Sequence, residues 1–548
     1  MRTLLLVVFL SLSAIGSTQT VADLHNAYEA MHEGRWDDAV KFYKKLVDEC
    51  PENPDYWGTY GLALLEAKKF SEVIPAAERA AVLGYFPWRA YYSQAKAYAG
   101  LDDKERTLSA LERALDAKWY GGEQFGSESA FDFIRGDVRF KRMLGADFDK
   151  ATISRDEGWR KDLDYALREA RRQHYSFDAV KGKKAIDDFY RKLRSDIPKL
   201  KDHEIVVGLQ ELMAMGGDGH TWALAPQSGK LLFHTFSIQI FRFKEGFHVT
   251  ATSEAYKHLN GLRLQSIEGI PLEKVIDAVK ATISGETSVT IDSRLPRALT
   301  TPEVLHTKRI IKNLDQAIYT FVDKDGKTIQ ATIKSIPQQP GPTFVPARNV
   351  DHSPLYLKDR IKPYWFEYQP ESKLLYCQYN AVRDVSQTDT LRAFWPKVFK
   401  AAEDDKAEAI VIDIRWNGGG NLFLNDSLIT AILSSPKFNE VGKLYVVTGR
   451  HTYSAAASLV GKLDRMTQAV FVGEPAGASP NFVGEGSVVL LPYSGIRCSI
   501  SSLYWQNTHG MDRRSWVGPH IRAEPTWEHF IQNRDPAMEA ILKSLRDS

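Results

Sequence analysis

Ser454 stands where an apolar run, Leu444-Tyr445-Val446-Val447-Thr448, gives way to His451-Thr452-Tyr453-Ser454-Ala455-Ala456-Ala457-Ser458 and then to a helical pattern. A serine at such a strand-to-helix turn lies beside the first backbone N–H groups of the helix. Those groups have no partner inside the helix and can hold a developing oxyanion. The small residues after it leave room for a substrate. Three consecutive glycines, Gly418 to Gly420, end a second apolar run, Ala409-Ile410-Val411-Ile412-Asp413-Ile414. Glycine lets backbone N–H groups come close to a bound group. A hydroxyl is a weak nucleophile until a base takes its proton. The candidate base is His220, in Gly216-Gly217-Asp218-Gly219-His220, at the end of a helical stretch. A positioned base is worth roughly 10²–10⁴-fold and one oxyanion donor roughly 10²–10³-fold. Together these residue types permit acyl transfer. Each also has a plainer use: Ser454 as a helix N-cap, His220 as a structural hydrogen-bonding group, the glycines as a tight turn. The Gly-Gly-Gly-Asn run lacks the Lys-Ser/Thr continuation of a phosphate loop, and no His-Glu-x-x-His helix is present. No metal or organic cofactor is expected.

These residues need elements to hold them. Residues 350–545 alternate strand, turn and helix, which predicts a layered α/β core carrying Ser454 and the glycines. Residues 155–230 are helical first and carry His220. Residues 231–340 hold short alternating runs (FSIQIFRF, FHVTAT, LRLQSIEG, AIYTFVDK, TIQATIKS) and one helix, a mostly-β module closed by a Pro-rich boundary near 337–355. Residues 21–148 carry a period. Ala39, Val73 and Thr107 lie 34 apart, as do Tyr43, Ala77 and Leu111, then Leu46, Ala80 and Ala114, then Ala27, Gly61 and Ala95. This helix-turn-helix period resembles the tetratricopeptide repeat, with residues 126–144 as its cap and a linker near 145–154. Residues 1–20 pair Arg2 with an apolar stretch and small residues, the layout of a secretory signal.

Composition narrows the partners. The 548 residues carry 71 Lys+Arg against 69 Asp+Glu, a formal charge of +2. That excludes a polybasic nucleic-acid binder, which needs a concentrated cationic face. Three cysteines without Cys-x-x-Cys spacing exclude a disulfide scaffold and a thiolate metal site. The expected partners are a protein or peptide substrate and a partner protein on the repeat array. No stable membrane insertion is expected after the signal is removed, and the expected location is periplasmic or secreted.

Three segments together resemble the tail-specific, or C-terminal processing, serine peptidases. IDIRWNGGGN resembles their strand-plus-glycine motif, TYSAAAS followed by AVFVGEPAG their nucleophile segment, and DGHT the histidine motif of the tricorn-type branch. LRLQSIEGIPLEKVI resembles their PDZ-like insert. The resemblance covers roughly residues 155–545. It implies a ClpP/crotonase-like core in a multidomain α plus α/β chain, with Ser454 as nucleophile and the N–H groups of Gly419 and Ala455 as oxyanion hole. The Ser-Lys branch places a lysine where this chain has Ser479, so His220 takes the role of base. The orienting acid implied is Asp512, with Glu474 and Glu485 as alternatives; here WVGPHI has His520 where the family has aspartate. The insert has no clear Gly-Leu-Gly-Phe-type loop for capturing a terminal carboxylate, which argues against recognition of free C-termini and keeps strand addition of a peptide to its sheet edge open. The function expected is an exported serine endopeptidase, with activity falling below about pH 6 as the imidazole protonates. The alternatives are a catalytically inactive peptide-binding protein on the same scaffold and a repeat-mediated interaction protein.

Overall fold

The computed structural model describes residues 21–118, 126–225, 228–338, 341 and 343–547. The signal read at 1–20 lies outside the described residues, as does part of the Pro-rich run at 338–342. The chain divides into two compact units, Met1–Gln173 with Val489–Gly495, and His174–Val488 with Ile496–Ser548.

The first unit is a helical array: α1 (21–32), α2 (Trp36–Glu49), α3 (Pro54–Glu66), α4 (Phe70–Val82), α5 (Pro87–Gly100) and α6 (Lys104–Asp116). Local chemistry sets the helix starts. The Asn53 side chain accepts the N–H groups of Asp55 and Tyr56 ahead of α3, with Pro54 at the first helical position. The residues 34 apart in sequence are all buried, including Ala39, Val73 and Thr107. Small side chains at these positions let neighbouring helices approach. Phe131, Ile134, Phe140 and Met143 pack in one apolar cluster with Leu108 and Leu111. Helix α7 (Arg155–Gln173) belongs to this unit rather than with the histidine-bearing segment. Its arginines explain why: Arg168 donates to the Arg142 and Met143 carbonyls at 2.9 Å, and Arg172 to the Leu115 carbonyl at 3.0 Å.

In the second unit, a helix at Lys183–Asp196 leads to α8 (Asp202–Ala214), which runs into the glycine-rich turn before His220. The β module follows, with strands β1 (Ile238–Phe243), β2 (Gly246–Thr252), β3 (Arg263–Ile267), β4 (Gln316–Val322) and β5 (Thr328–Pro337). Its sheet runs β5-β4-β3-β2-β1, leaving β1 at an edge with helix α9 (Ser288–Ala298) packed against it.

The core sheet has the order β6 (Tyr364–Gln369), β7 (Leu374–Tyr379), β8 (Ala409–Asp413), β9 (Leu444–Thr448), β10 (Val470–Gly473) and then Ile521–Arg522. Only the β6–β7 pair is antiparallel. Helices α10 (Leu391–Asp404), α11 (Asp426–Leu433), α12 (Ala455–Met466) and α13 (Pro536–Asp547) cover it. Ile410, Ile412 and Val446 face one apolar cluster with Trp395 and Leu459; Val411, Tyr445 and Val447 face another with Ala537 and Ile541. Burial on both faces is why these strands read as unbroken apolar runs rather than alternating ones. Two long strands, β11 (Asn481–Leu490) and β12 (Arg497–Gln506), form a separate sheet with Trp222–Ala223, which pairs Trp222 with Ser499. That short strand begins two residues after His220 and pins the histidine loop.

Candidate active site

Glycines and serine meet at the carboxyl ends of adjacent parallel strands β8 and β9, where open α/β sheets place their ligands. The loop between β9 and α12 is stitched to the end of β8. Thr452 donates to the Ile414 carbonyl at 2.8 Å and accepts the Gly449 N–H at 3.0 Å, while the Tyr453 N–H donates to the Asn417 carbonyl at 3.0 Å. Ser454 itself sits at φ 54°, ψ −125°. A positive φ costs a non-glycine residue of order 1–3 kcal/mol and survives only where the surroundings enforce it. This is a sharp strand-to-helix turn of the kind that projects a nucleophile. Ser454 occupies the N-cap position of α12 but its side chain caps nothing, which removes the plainer use of this serine.

Gly419 packs directly beneath it. A Cβ there would lie 2.6 Å from the Ser454 Cβ and 2.9 Å from the Ala455 nitrogen, on a backbone with φ +107°. The assignment of its N–H to an oxyanion hole needs correction. That N–H donates to the Asn417 Oδ1 at 2.9 Å, so it is already engaged. The Ala455 N–H, first in its helix, has no acceptor among the described residues, nor has that of Gly420. The Gly419 carbonyl and the Asn421 N–H both pair with Val382, and Gly420 lines the cavity in front of Ser454.

That cavity holds about 150 Å³ and is lined by Ser454, His220, Ala455, Gly420, Phe482 and Glu485 among others. The histidine and the serine, 234 positions apart in the chain, thus face one space. Ser458, one helical turn after Ser454, also lines it, with a buried hydroxyl that has no partner among the described residues. The His220 ring lies between two aromatic rings, with centroids 4.8 Å from Tyr453 and 5.7 Å from Phe482. Asp218 shapes its loop. The carboxylate accepts the backbone N–H groups of His220 and Thr221 at 2.8 and 2.9 Å, the Ser501 hydroxyl at 2.7 Å, and faces His174 Nε2 at 2.8 Å. Burial pushes this carboxyl up, but the bonds from His174 and Ser501 outweigh it and hold it below the usual range. Burial pushes the His220 imidazole down to about 4, with Arg294 adding to the effect and Asp218 and a hydrogen bond to the Val483 backbone opposing it. The ring is therefore neutral at pH 7, and the expected loss of the base near pH 6 moves to near pH 4.

Sequence reasoning missed the group that touches the imidazole. Tyr453 Oη is 3.1 Å from His220 Nδ1, and the same hydroxyl donates to Glu286 Oε2 at 3.2 Å. The Glu286 Oε1 is buried without a partner among the described residues. Burial pushes this carboxyl up to about 7; nearby Asp218 adds to that, while Arg294 and the tyrosine hydroxyl oppose it. Arg294 lies 5.2 Å over the Tyr453 ring and donates to the carbonyls of Gly219 and Ser284 at 3.0 and 2.6 Å. Gly219 must be glycine here: a Cβ would fall 2.1 Å from the tyrosine oxygen and 3.0 Å from Glu286 Oε2.

The orienting role read for Asp512 also needs correction. Its carboxylate is taken by Arg514, at 3.0 Å and 2.7 Å, and by the Thr508 hydroxyl at 2.9 Å. Glu474 is held by Arg450 at 3.1 Å. Glu485 lines the Ser454 cavity but forms no hydrogen bond to His220 among the described residues. Lys462 binds Asp426 at 2.8 Å, and no lysine lines the cavity.

No family model matches the chain. Among solved structures it is similar to mature CPAF, both alone and complexed with lactacystin. The two likenesses have a TM-score of 0.51 with 12% and 11% sequence identity, and cover 71% of this chain and 96% and 97% of those chains. Among curated proteins it is similar to the DnaJ homolog subfamily C member 7 of Homo sapiens, 22% identical over 132 residues, and to that of Mus musculus, 22% identical over 125 residues. The chain spans about a quarter of the length of these relatives, 26% and 24%, in stretches comparable in length to the repeat array. In chain order, an array of tetratricopeptide-like repeats is followed by the fold of the tail-specific serine peptidases.

Proposed function

We propose that the protein is an exported serine endopeptidase in which Ser454 is the nucleophile and His220 the general base. The observation that carries this is the shared cavity: a strained, uncapped serine, an imidazole that is neutral at pH 7, and the unengaged N–H groups of Ala455 and Gly420 all face it. The tyrosine hydroxyl has a single proton, and while Glu286 is ionised it goes to that carboxylate. Its oxygen therefore accepts from His220 Nδ1–H, which leaves Nε2 unprotonated as the base. In the reaction, Nε2 takes the Ser454 proton as the oxygen attacks the peptide carbonyl. Ala455 and Gly420 hold the oxyanion. The imidazolium then protonates the leaving amine, and water attacks the acyl-enzyme with the same base. Tyr453 and Glu286 take the orienting role read for Asp512 from sequence. The apolar stretch at 1–20 supports export, and the repeat array supports capture of a partner or substrate protein.

A fluorophosphonate probe tests the reading. The full-length protein should label on Ser454. Ser454→Ala should abolish labelling, and His220→Ala should slow it by about 10²–10⁴-fold, the usual worth of a general base. A folded wild type that takes no label would instead make this scaffold a peptide-binding protein without hydrolase activity.

A further inference from the structure

A second and larger cavity, of about 800 Å³, lies in the same unit and shares no lining residue with the Ser454 cavity. Its walls are edge strand β1, the face of α9 carrying Asp292 and Arg297, and the core-sheet loops that hold Trp416 and Gly449 to His451. Among the described residues no strand pairs with the outer side of β1. An unpaired strand edge offers a row of backbone donors and acceptors to an extended chain.

The charges on these walls are one-sided. Arg242 pairs with Asp292, Arg415 with both Asp413 at 2.8 Å and Asp535 at 2.9 Å, and Arg450 with Glu474 at 3.1 Å. Arg297, Arg348 and Arg360 have no carboxylate within salt-bridge distance among the described residues. Arg297 donates to the Gln338 amide oxygen at 3.3 Å. Arg348 donates to the Asn349 carbonyl, the Ser353 hydroxyl and the Asn533 amide oxygen. Arg360 lies 3.9 Å over the Trp416 ring, which stacks on His451 with centroids 4.9 Å apart. Stacking fixes the plane of a guanidinium and leaves its edge free for a bidentate acceptor. The whole chain carries a formal charge of only +2, so three uncompensated arginines in one groove are a local concentration. A cleft of one sign with low-dielectric walls focuses its field on an incoming ligand.

We propose that this groove binds an extended, acidic segment of the substrate by strand addition to β1, with side-chain carboxylates of that segment on Arg297, Arg348 and Arg360. Alternate residues of a strand share a face, so acidic residues at every second position present their carboxylates together. The inference rests on the hydrolase reading for its purpose. His451 in the groove wall is three residues from Ser454, and three residues span at most about 11 Å, so one wall of the groove comes within that distance of the nucleophile's backbone.

Binding to the full-length Ser454→Ala protein tests this without any need for turnover. The probes are fluorescein-labelled decapeptides of alternating glutamate and valine, amidated at the C-terminus, and the same peptide with glutamine for glutamate. The glutamate peptide should bind about tenfold tighter, with the advantage shrinking as salt shortens the screening length. Arg297→Gln with Arg360→Gln should bring that advantage to about twofold or less while the glutamine peptide binds as before. Replacing both by lysine should keep most of it. Equal binding of the two peptides would overturn the proposal. So would an advantage that survives the double glutamine variant. So would tighter binding of a glutamine peptide with a free C-terminal carboxylate than of the amidated glutamate peptide, since that would make the arginines a site for chain ends. Fluorophosphonate labelling of the wild type is unaffected by any of these results, so the two readings fail separately.

Discussion

Glu286 and Asp512 are two carboxyl groups that sequence position alone would rank in the opposite order. Asp512 sits beyond the nucleophile, where the family resemblance puts the orienting acid, and Glu286 sits in an unremarked turn before α9. Their surroundings reverse the ranking. Asp512 is gripped by Arg514 and Thr508, and the arginine holds its carboxyl well below the usual range. Its charge is fully answered by its own neighbours. Glu286 has its Oε1 buried and without a partner among the described residues, and reaches the imidazole through a single tyrosine hydroxyl. A carboxyl group couples to a distant base when it is removed from water and left without its own cation. Which acid serves is decided by environment more than by order along the chain.

The largest test of this contrast is steric. Gly219→Ala would place a methyl 2.1 Å from the Tyr453 oxygen. The ring must move, and His220 with it. The expected result is a fall in kcat/KM of about 10²–10⁴-fold, as large as losing the base itself, because the base is no longer held. Thermal melting should confirm that the variant is folded. A variant that keeps wild-type kcat/KM would show that Tyr453 does not hold the imidazole.

A milder break removes one atom. Tyr453→Phe deletes the hydroxyl between His220 and Glu286, and should lower kcat by about 5- to 160-fold with little change in KM, the rate equivalent of losing a buried hydrogen bond worth roughly 1–3 kcal/mol. The pH profile then separates positioning from mere packing. Glu286 is protonated below about pH 7 and ionised above it. When ionised it draws on the tyrosine proton, strengthens the oxygen as an acceptor for Nδ1–H, and stabilises the imidazolium that forms during attack. Asp218 and Arg294, which also face this pair, bear opposite charges. Activity should therefore rise through pH 7, although His220 itself protonates only near 4. In Glu286→Gln that rise should vanish. Stability supplies a second readout. The folded-state value is raised from 4.5 to about 7, so the folded protein holds the proton more tightly. The stabilisation from this group is fully present below pH 4.5 and lost as pH rises through 7. The glutamine variant should lose less melting temperature than the wild type over that interval.

The difference between the two acids also explains what the sequence could and could not reveal. The repeat array is encoded locally: Ala39, Val73 and Thr107 are buried because each helix meets its chain neighbours, and a fixed period betrays them. Ser454 and the three glycines were legible because each ends a buried strand. His220 was legible from its glycines, whose necessity is steric. Tyr453 and Glu286 are 167 positions apart, and nothing around Ser284-Gly285-Glu286-Thr287 hints at a partner so distant. The exchange of Gly419 for Gly420 as a donor turns on where one side chain, Asn417, places its oxygen. The grouping of α7 with the repeats turns on arginine bonds to backbone carbonyls, which no residue pattern records.

The smallest expected effect is the sharpest check on the ranking. Asp512→Asn removes the charge on which Arg514 rests, yet Arg514 keeps a second partner in Asp464 at 2.8 Å. Asparagine retains an oxygen for the Thr508 hydroxyl. The arginine side chain is 47% exposed and the aspartate side chain 10%, and an ion pair open to solvent on one side contributes little. Neither oxygen of Asp512 contacts the imidazole, so no limb of the pH profile should move. The expected change in kcat/KM is about twofold or less, the range of ordinary surface substitutions. A loss of the size predicted for Tyr453→Phe, in a variant with unchanged melting temperature, would return the orienting role to Asp512. The tyrosine would then be packing against the histidine rather than directing it.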